Sequence, residues 1–343
     1  MNTLLKTALV GALASQPAAW LMQPLLRSRS SIFMLHRFAN PDLGVSGHDP
    51  DFIRDCLAEL RRRKVRILSL DELIDRAIAG EPIRGAISFT MDDGFWDQGE
   101  IGANLFLEFD VPVTCFLISG LQDGDLWPWD DRLAFIYRET KLHRLVSEIC
   151  GRRIDQQLID PLHRAHALRQ TRQILKGLAF ADLEAAMTGL AEDADVSVPE
   201  SPPRSHEPIG WGAARSLEKR GVRFGPHTKS HGIVSRMSDC EARSELLGAW
   251  DRLRAELVNP LDVYGWPTGR YSDFGPRDVE ILQGAGFRAA VATEDDYATF
   301  PVDGCGDDMY GLRRFAMPSN LLDFIQYGSW IERGKQKLRS AFA

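Results

Sequence analysis

The chain has 343 residues, enough for one barrel-sized domain with an insertion or for two ordinary domains. With 44% hydrophobic and 26% charged residues it has a globular composition, which excludes a disordered chain. A net charge of -7, with no basic stripe interleaved with aromatics, argues against nucleic acid as a partner and suits a neutral or cationic ligand.

Lys6 followed by the apolar stretch Thr7–Ala14 resembles a short export signal, interrupted at Gln16-Pro17. The alternative is an amphipathic helix through Leu26, so that residues 1–30 form an N-terminal helical tail packed on the body or in peripheral contact with a membrane. No run reaches the roughly 18 apolar residues of a membrane span. The five cysteines, Cys56, Cys115, Cys150, Cys240 and Cys305, form no CxxC pair and are odd in number, against a disulfide framework. Cys56 and Cys115 lie among apolar neighbours as core thiols. The expected compartment is the cytoplasm, at the inner membrane surface if the tail touches it, or outside if residues 1–20 act as a signal.

Ile32–Leu35 is an apolar run that reads as a buried strand ending at His36-Arg37. Helical spacing follows over 51–63, opened by Asp49-Pro50, and Ser69-Leu70-Asp71-Glu72 is a capping-box pattern opening a second helix. The run Ile87–Met91 reaches Asp92-Asp93 and breaks at Gly94, as a buried strand ending in a site loop does. A helix over 98–109 and a strand over 113–118 come next, and the strand, helix, strand order predicts a parallel sheet. Trp127 and Trp129 follow in a loop, where they either stack on a sugar face or plug the base of an insertion.

From about 132 to 205 the helical signal dominates, notably over 165–178 and 181–190, and predicts a helical insertion whose histidines, His143, His163, His166 and His206, lie at the surface. The alternating pattern resumes with a helix over 211–220, a strand over 222–224, the pair His227 and His231, and a helix capped at Ser238. Strands over 262–266, 287–292 and 312–317 and helices from Pro276 and from Asn320 complete the chain.

Adjacent carboxylates at a strand end point apart, so one can bind a metal while the other handles protons. Asp-Asp-Gly alone is a common turn. Two imidazoles four residues apart, at His227 and His231, add the other half of a three-ligand set that leaves a position open for water.

With these residues in hand the chain resembles the polysaccharide deacetylase family, the NodB-homology group of carbohydrate esterases. Thr90-Met91-Asp92-Asp93-Gly94 is similar to its Thr-Phe-Asp-Asp-Gly motif, and His227-Thr228-Lys229-Ser230-His231 to its His-(Ser/Thr)-x-x-His motif. Trp266-Pro267-Thr268-Gly269 resembles a Trp-Pro-Tyr-Gly variant, and Leu35-His36-Arg37 an entry strand of one branch. The resemblance implies an α/β fold, a distorted, incomplete (β/α) barrel of the NodB-homology type over 31–343, and metal-dependent removal of N-acetyl groups from a carbohydrate or glycoconjugate.

It also implies that Asp93, His227 and His231 hold a divalent metal, Zn2+ first, with Co2+, Ni2+ or Fe2+ as alternatives. Asp92 becomes the general base and the Thr268 N–H the oxyanion donor, while Trp127, Trp129, Trp266 and Pro267 form the substrate wall. Two departures stand out. Gly265-Trp266 occupies the place of the usual base-orienting Arg, for which Arg314 is the candidate substitute or else a structural ion pair. No His follows His231, so the role of acid falls to protonated Asp92 or to His36. Hydrolysis of another amide and a non-catalytic carbohydrate-binding role are the competing readings.

Overall fold

The computed structural model describes residues 10, 12–14, 16–300 and 307–341. Half of the signal-like stretch Thr7–Ala14, and Cys305, lie outside these residues. The site is carried by a six-stranded sheet in which β1 (Arg29–Leu35), β2 (Ile87–Asp93), β3 (Thr114–Leu117), β6 (Arg223–Pro226) and β10 (Phe315–Ala316) run parallel in the order β10-β1-β2-β3-β6. The short β9 (Ala298–Thr299) lies antiparallel against β1. A second parallel pair, β7 (Val263–Gly265) and β8 (Ala289–Val291), stands beside it.

β2 is buried along its whole length, which explains its nearly unbroken apolar sequence, since a parallel strand is covered on both faces. The two hydroxyls that interrupt it are satisfied: Ser88 donates to the Leu68 carbonyl at 2.9 Å and Thr90 to that of Phe33 at 3.2 Å. Register then decides what meets at the far end. Leu35 pairs with Met91, Asp93 with Leu117, and Leu117 with Pro226, so His36, Asp93 and His227 leave the sheet at nearly one level.

The helices start where their caps predict. Asp49 caps Pro50–Arg63, Ser69 caps Leu70–Ile78, and Ser238 with Glu241 forms a reciprocal capping box on Asp239–Glu256. Several expectations need correction. The segment Gln98–Ala103 is π-helical and only Asn104–Glu108 continues as α-helix, a departure that recurs near functional sites. The last strand shrinks to two residues, and the C-terminal helix is broken into Leu321–Tyr327 and Ile331–Ala341.

The segment expected to be a helical insertion is not all helical. Between the helices Trp129–Glu139 and Pro161–Leu175 it holds an antiparallel hairpin, β4 (Arg144–Ile149) and β5 (Arg152–Gln157). Cys150 and Gly151 turn it with φ of 48° and 78°, the paired left-handed conformation that matches strand twist in a two-residue hairpin. With the helix Phe180–Asp193, these elements bury Leu133, Ile136, Leu145, Leu175 and Leu190 in a core that also includes Ile233, two residues past His231. These elements therefore brace the loop that carries the second histidine. Cys56 and Cys115 are buried free thiols, as expected.

Candidate active site

Asp92 and Asp93 part company because the backbone turns between them. Asp93 adopts φ 90° and Gly94 85°, a left-handed geometry that costs a non-glycine residue on the order of 1–3 kcal/mol and is found where a site demands it. Thr228 and His231, both at 61°, and Thr268, at 54°, share the same conformation. Each of the three site loops thus stores local strain.

Asp92 points into the protein and is 1% exposed. Arg314, itself fully buried, grips it with two parallel hydrogen bonds, Nη1 to Oδ1 and Nη2 to Oδ2, both 2.7 Å. Two further guanidinium donors go to the Ala292 carbonyl at 2.8 Å and the Thr90 hydroxyl at 3.0 Å. Burial alone would raise the Asp92 pKa, but the charge and hydrogen bonds of Arg314 outweigh it and hold the carboxyl at about 2. Arg314, the candidate substitute named from the sequence, lies in direct contact with Asp92.

Asp93 Oδ1 faces both imidazoles, 3.5 Å from His227 Nε2 and 3.5 Å from His231 Nε2. It is buried and has no hydrogen-bond partner, an orphaned acceptor of the kind that a cation satisfies. One ligand atom from each of Asp93, His227 and His231 lies within 4.8 Å of the others. Both rings are turned so that Nε2 is free for an ion: His227 Nδ1 donates to the Gly265 carbonyl at 2.8 Å, and His231 Nδ1 to Asp130 Oδ1 at 3.2 Å. This is how proteins set the tautomer of a metal-binding histidine.

The two rings differ electrostatically. Burial drives His227 down to about 4, so it stays neutral. Burial also disfavours charge on His231, but Asp130 and then Asp93 outweigh it and raise the ring to about 9. The donor set fits a divalent cation by geometry and by the orientation of both rings, and a bound ion would displace the proton that Asp130 and Asp93 favour on His231.

The third motif follows β7. Thr268 ties its hydroxyl to Asp273 Oδ2 at 2.5 Å, and its carbonyl accepts from Thr293 Oγ1 at 2.6 Å. Among the described residues its N–H has no acceptor. Gly265 cannot bear a side chain here, since an added Cβ would meet Phe116 Cγ at 2.7 Å and His227 Nδ1 at 3.1 Å. His36 is exposed at the end of β1, and its charge contributes to lowering the Asp92 pKa.

The expected aromatic wall is corrected by burial. Trp127 and Trp129 are each 3% exposed and Trp266 is fully buried, so none presents a ring face to a ligand. Trp129 Nε1 donates to the His231 carbonyl at 3.2 Å. Trp266 stacks on Phe274 at 4.5 Å and donates to the Tyr310 carbonyl at 2.8 Å. Pro267 is buried as well. These residues stiffen the site loops. His206 also departs from expectation: its ring packs against Trp127 and Phe95, while His143, His163 and His166 are exposed.

Sequence reasoning missed several supports. Asp130 stands next to Trp129 in the first turn of the helix Trp129–Glu139, and the adjacent acids Asp130-Asp131 are its only signal in the sequence. Gln98 spans the site, accepting from the Gly94 N–H at 3.0 Å and donating to the carbonyls of His36 and Asp92. Asp97 accepts from the Phe38 N–H at 2.6 Å and from Arg37 Nε at 2.9 Å. Glu245 accepts from the N–H groups of Lys229 and Ser230 at 3.0 and 2.8 Å, pinning the loop between the histidines.

No protein-family model and no curated protein matches the sequence. Solved structures do share the fold. The Streptococcus pyogenes deacetylase PplD, in complex with acetate, aligns over 85% of this chain and 93% of its own, with a TM-score of 0.54 and 14% identity. IcaB from Ammonifex degensii aligns over 88% and 97%, with 0.53 and 14%. The deacetylase domain of BpsB from Bordetella bronchiseptica aligns over 84% and 96%, with 0.50 and 12%.

Proposed function

We propose that this chain is a metal-dependent hydrolase that removes N-acetyl groups from N-acetylhexosamine units of a polysaccharide, oligosaccharide or glycoconjugate. The observation that carries the reading is the convergence of Asp93, His227 and His231 around the orphaned Asp93 Oδ1. The shared fold with structures described as deacetylases supports it, and acetate, held by one of them, is the product such a reaction releases. Hydrogen bonds from Leu261 N to the Phe224 carbonyl at 2.7 Å and from Leu312 N to the Ala290 carbonyl at 2.9 Å tie β7–β8 to both flanks of the main sheet. That arrangement favours the distorted, incomplete (β/α) barrel.

Zn2+ is the preferred ion for an aspartate and two histidines. Bound there, a divalent ion supplies Lewis acidity to the scissile carbonyl and acidifies the attacking water. Asp92, kept ionised by Arg314, accepts the water proton, a contribution on the order of 10² to 10⁴-fold. The unpaired Thr268 N–H donates to the oxyanion that forms as the carbonyl is attacked. Asp92 then returns its proton to the departing amine, with His36 as the second candidate for that step.

The test is acetate release from short N-acetylglucosamine oligomers by the purified protein, before and after chelation and with zinc restored. Metal bound in stoichiometric amount and retention of the oligomers without acetate release would favour the carbohydrate-binding reading. Acid released only from amides that are not sugars would move the substrate class.

A further inference from the structure

At the end of the sheet opposite the metal ligands, an apolar groove of about 400 Å³ opens over Leu26, Leu60, Val65 and Phe324. Beside it the short helix Gln16–Leu21 presents Trp20 at 73% and Leu21 at 70% exposure. The segment before this helix is moored to the body, because Trp330 Nε1 donates to the Leu13 carbonyl at 2.9 Å and Arg63 Nη1 to that of Ala14 at 3.1 Å. Trp20 lines the groove itself, so the exposed Trp20 and Leu21 and the groove form one contiguous apolar patch, the kind that marks an interaction surface.

The charge at this face runs against that of the molecule. Lys64, Arg66 and Arg84 line the groove, no carboxylate does, and none of the three makes an ion pair among the described residues. In a chain of net charge -7, a cluster of unpaired cations beside interfacial aromatics selects a partner that is anionic and apolar at once. We propose that this face docks peripherally on an anionic phospholipid surface, with Trp20 and Leu21 entering the headgroup layer and Lys64, Arg66 and Arg84 facing lipid phosphates. Among the described residues no helix is long and apolar enough to cross a membrane.

The geometry also fixes the orientation. Leu26 precedes β1 and Arg84 precedes β2, whereas His36, Asp92 and Asp93 stand at the opposite strand ends. A strand of seven residues spans about 20 Å. Docking at the groove therefore turns the metal ligands away from the bilayer, toward a substrate that extends from the surface.

The experiment is flotation of the full chain with phosphatidylcholine vesicles and with vesicles in which phosphatidylglycerol replaces part of the lipid. Binding is expected only with the anionic lipid and should fall as salt screens the cations. Each cation removed should lower partitioning about fivefold, so the combined Lys64→Glu, Arg66→Glu, Arg84→Glu variant should lose at least a hundredfold. Trp20→Ser with Leu21→Ser should lose binding even at low salt, with the melting temperature unchanged. Equal binding to both lipids, or full binding by the charge-reversed protein, overturns the proposal. So does loss of binding only on deleting residues 1–9, which would make that segment the anchor. A dimer dispersed by Trp20→Ser in a protein that ignores vesicles would overturn it too, in favour of a second copy of the chain.

Discussion

Arg314 and Asp92 are separated by 222 residues in sequence and meet in a buried, two-pronged ion pair. The planar guanidinium matches the carboxylate edge, so one contact fixes both the charge and the direction of Asp92. Arg314→Lys keeps the charge and loses the fork. Acetate release should fall on the order of 10² to 10⁴-fold, toward that of Asp92→Asn, while metal content stays near wild type. Arg314→Ala strands a buried carboxylate and should cost about 3 to 5 kcal/mol in a urea melt.

Metal binding should be a property of three side chains together. Asp93→Ala, His227→Ala and His231→Ala should each lose stoichiometric zinc by elemental analysis. In the wild type, zinc at 100-fold its dissociation constant should add about 2.7 kcal/mol of stability. Each variant should show no rise in melting temperature with zinc, and a rise in all three would place the ion elsewhere.

Asp130 contacts the candidate ligand His231 and should tune the affinity of an ion bound there. Asp130→Asn should leave the fold intact and weaken zinc by about 10 to 100-fold in a competition titration with a chelating dye. An unchanged affinity would show that the 3.2 Å contact is incidental.

His206 should make the protein acid-sensitive. Burial, and then the charge of Arg37, lowers its pKa to about 4 from an ordinary 6.5. Below pH 6.5 the unfolded chain takes up a proton that the folded chain resists until about pH 4. Its stability contribution is therefore whole above 6.5 and lost progressively between 6.5 and 4, on the order of 2 kcal/mol by pH 5. Urea melts at pH 7 and pH 5 should show a smaller loss for His206→Gln than for wild type.

The main strands were legible because burial on both faces demands continuous apolar runs, and the helix starts because Asp49, Ser69 and Ser238 satisfy the first amides locally. The hairpin at 144–157 does not stand out in the sequence, although Leu145, Ile149 and Ile154 alternate with exposed neighbours and Gly151 marks the turn. Helical signal on either side masked a strand pattern only six residues long.

By itself the sequence singled out Asp92, Asp93, His227 and His231 as the candidate site, because strand ends, glycine breaks and four-residue spacing are properties of neighbours along the chain. Only the tertiary structure decided that Arg314 grips Asp92, that Asp130 and Gly265 aim the two imidazoles, and that the tryptophans are packing rather than a sugar platform. Those outcomes depend on sheet register and on which ring faces lose their water, and both arise from contacts between residues tens to hundreds of positions apart.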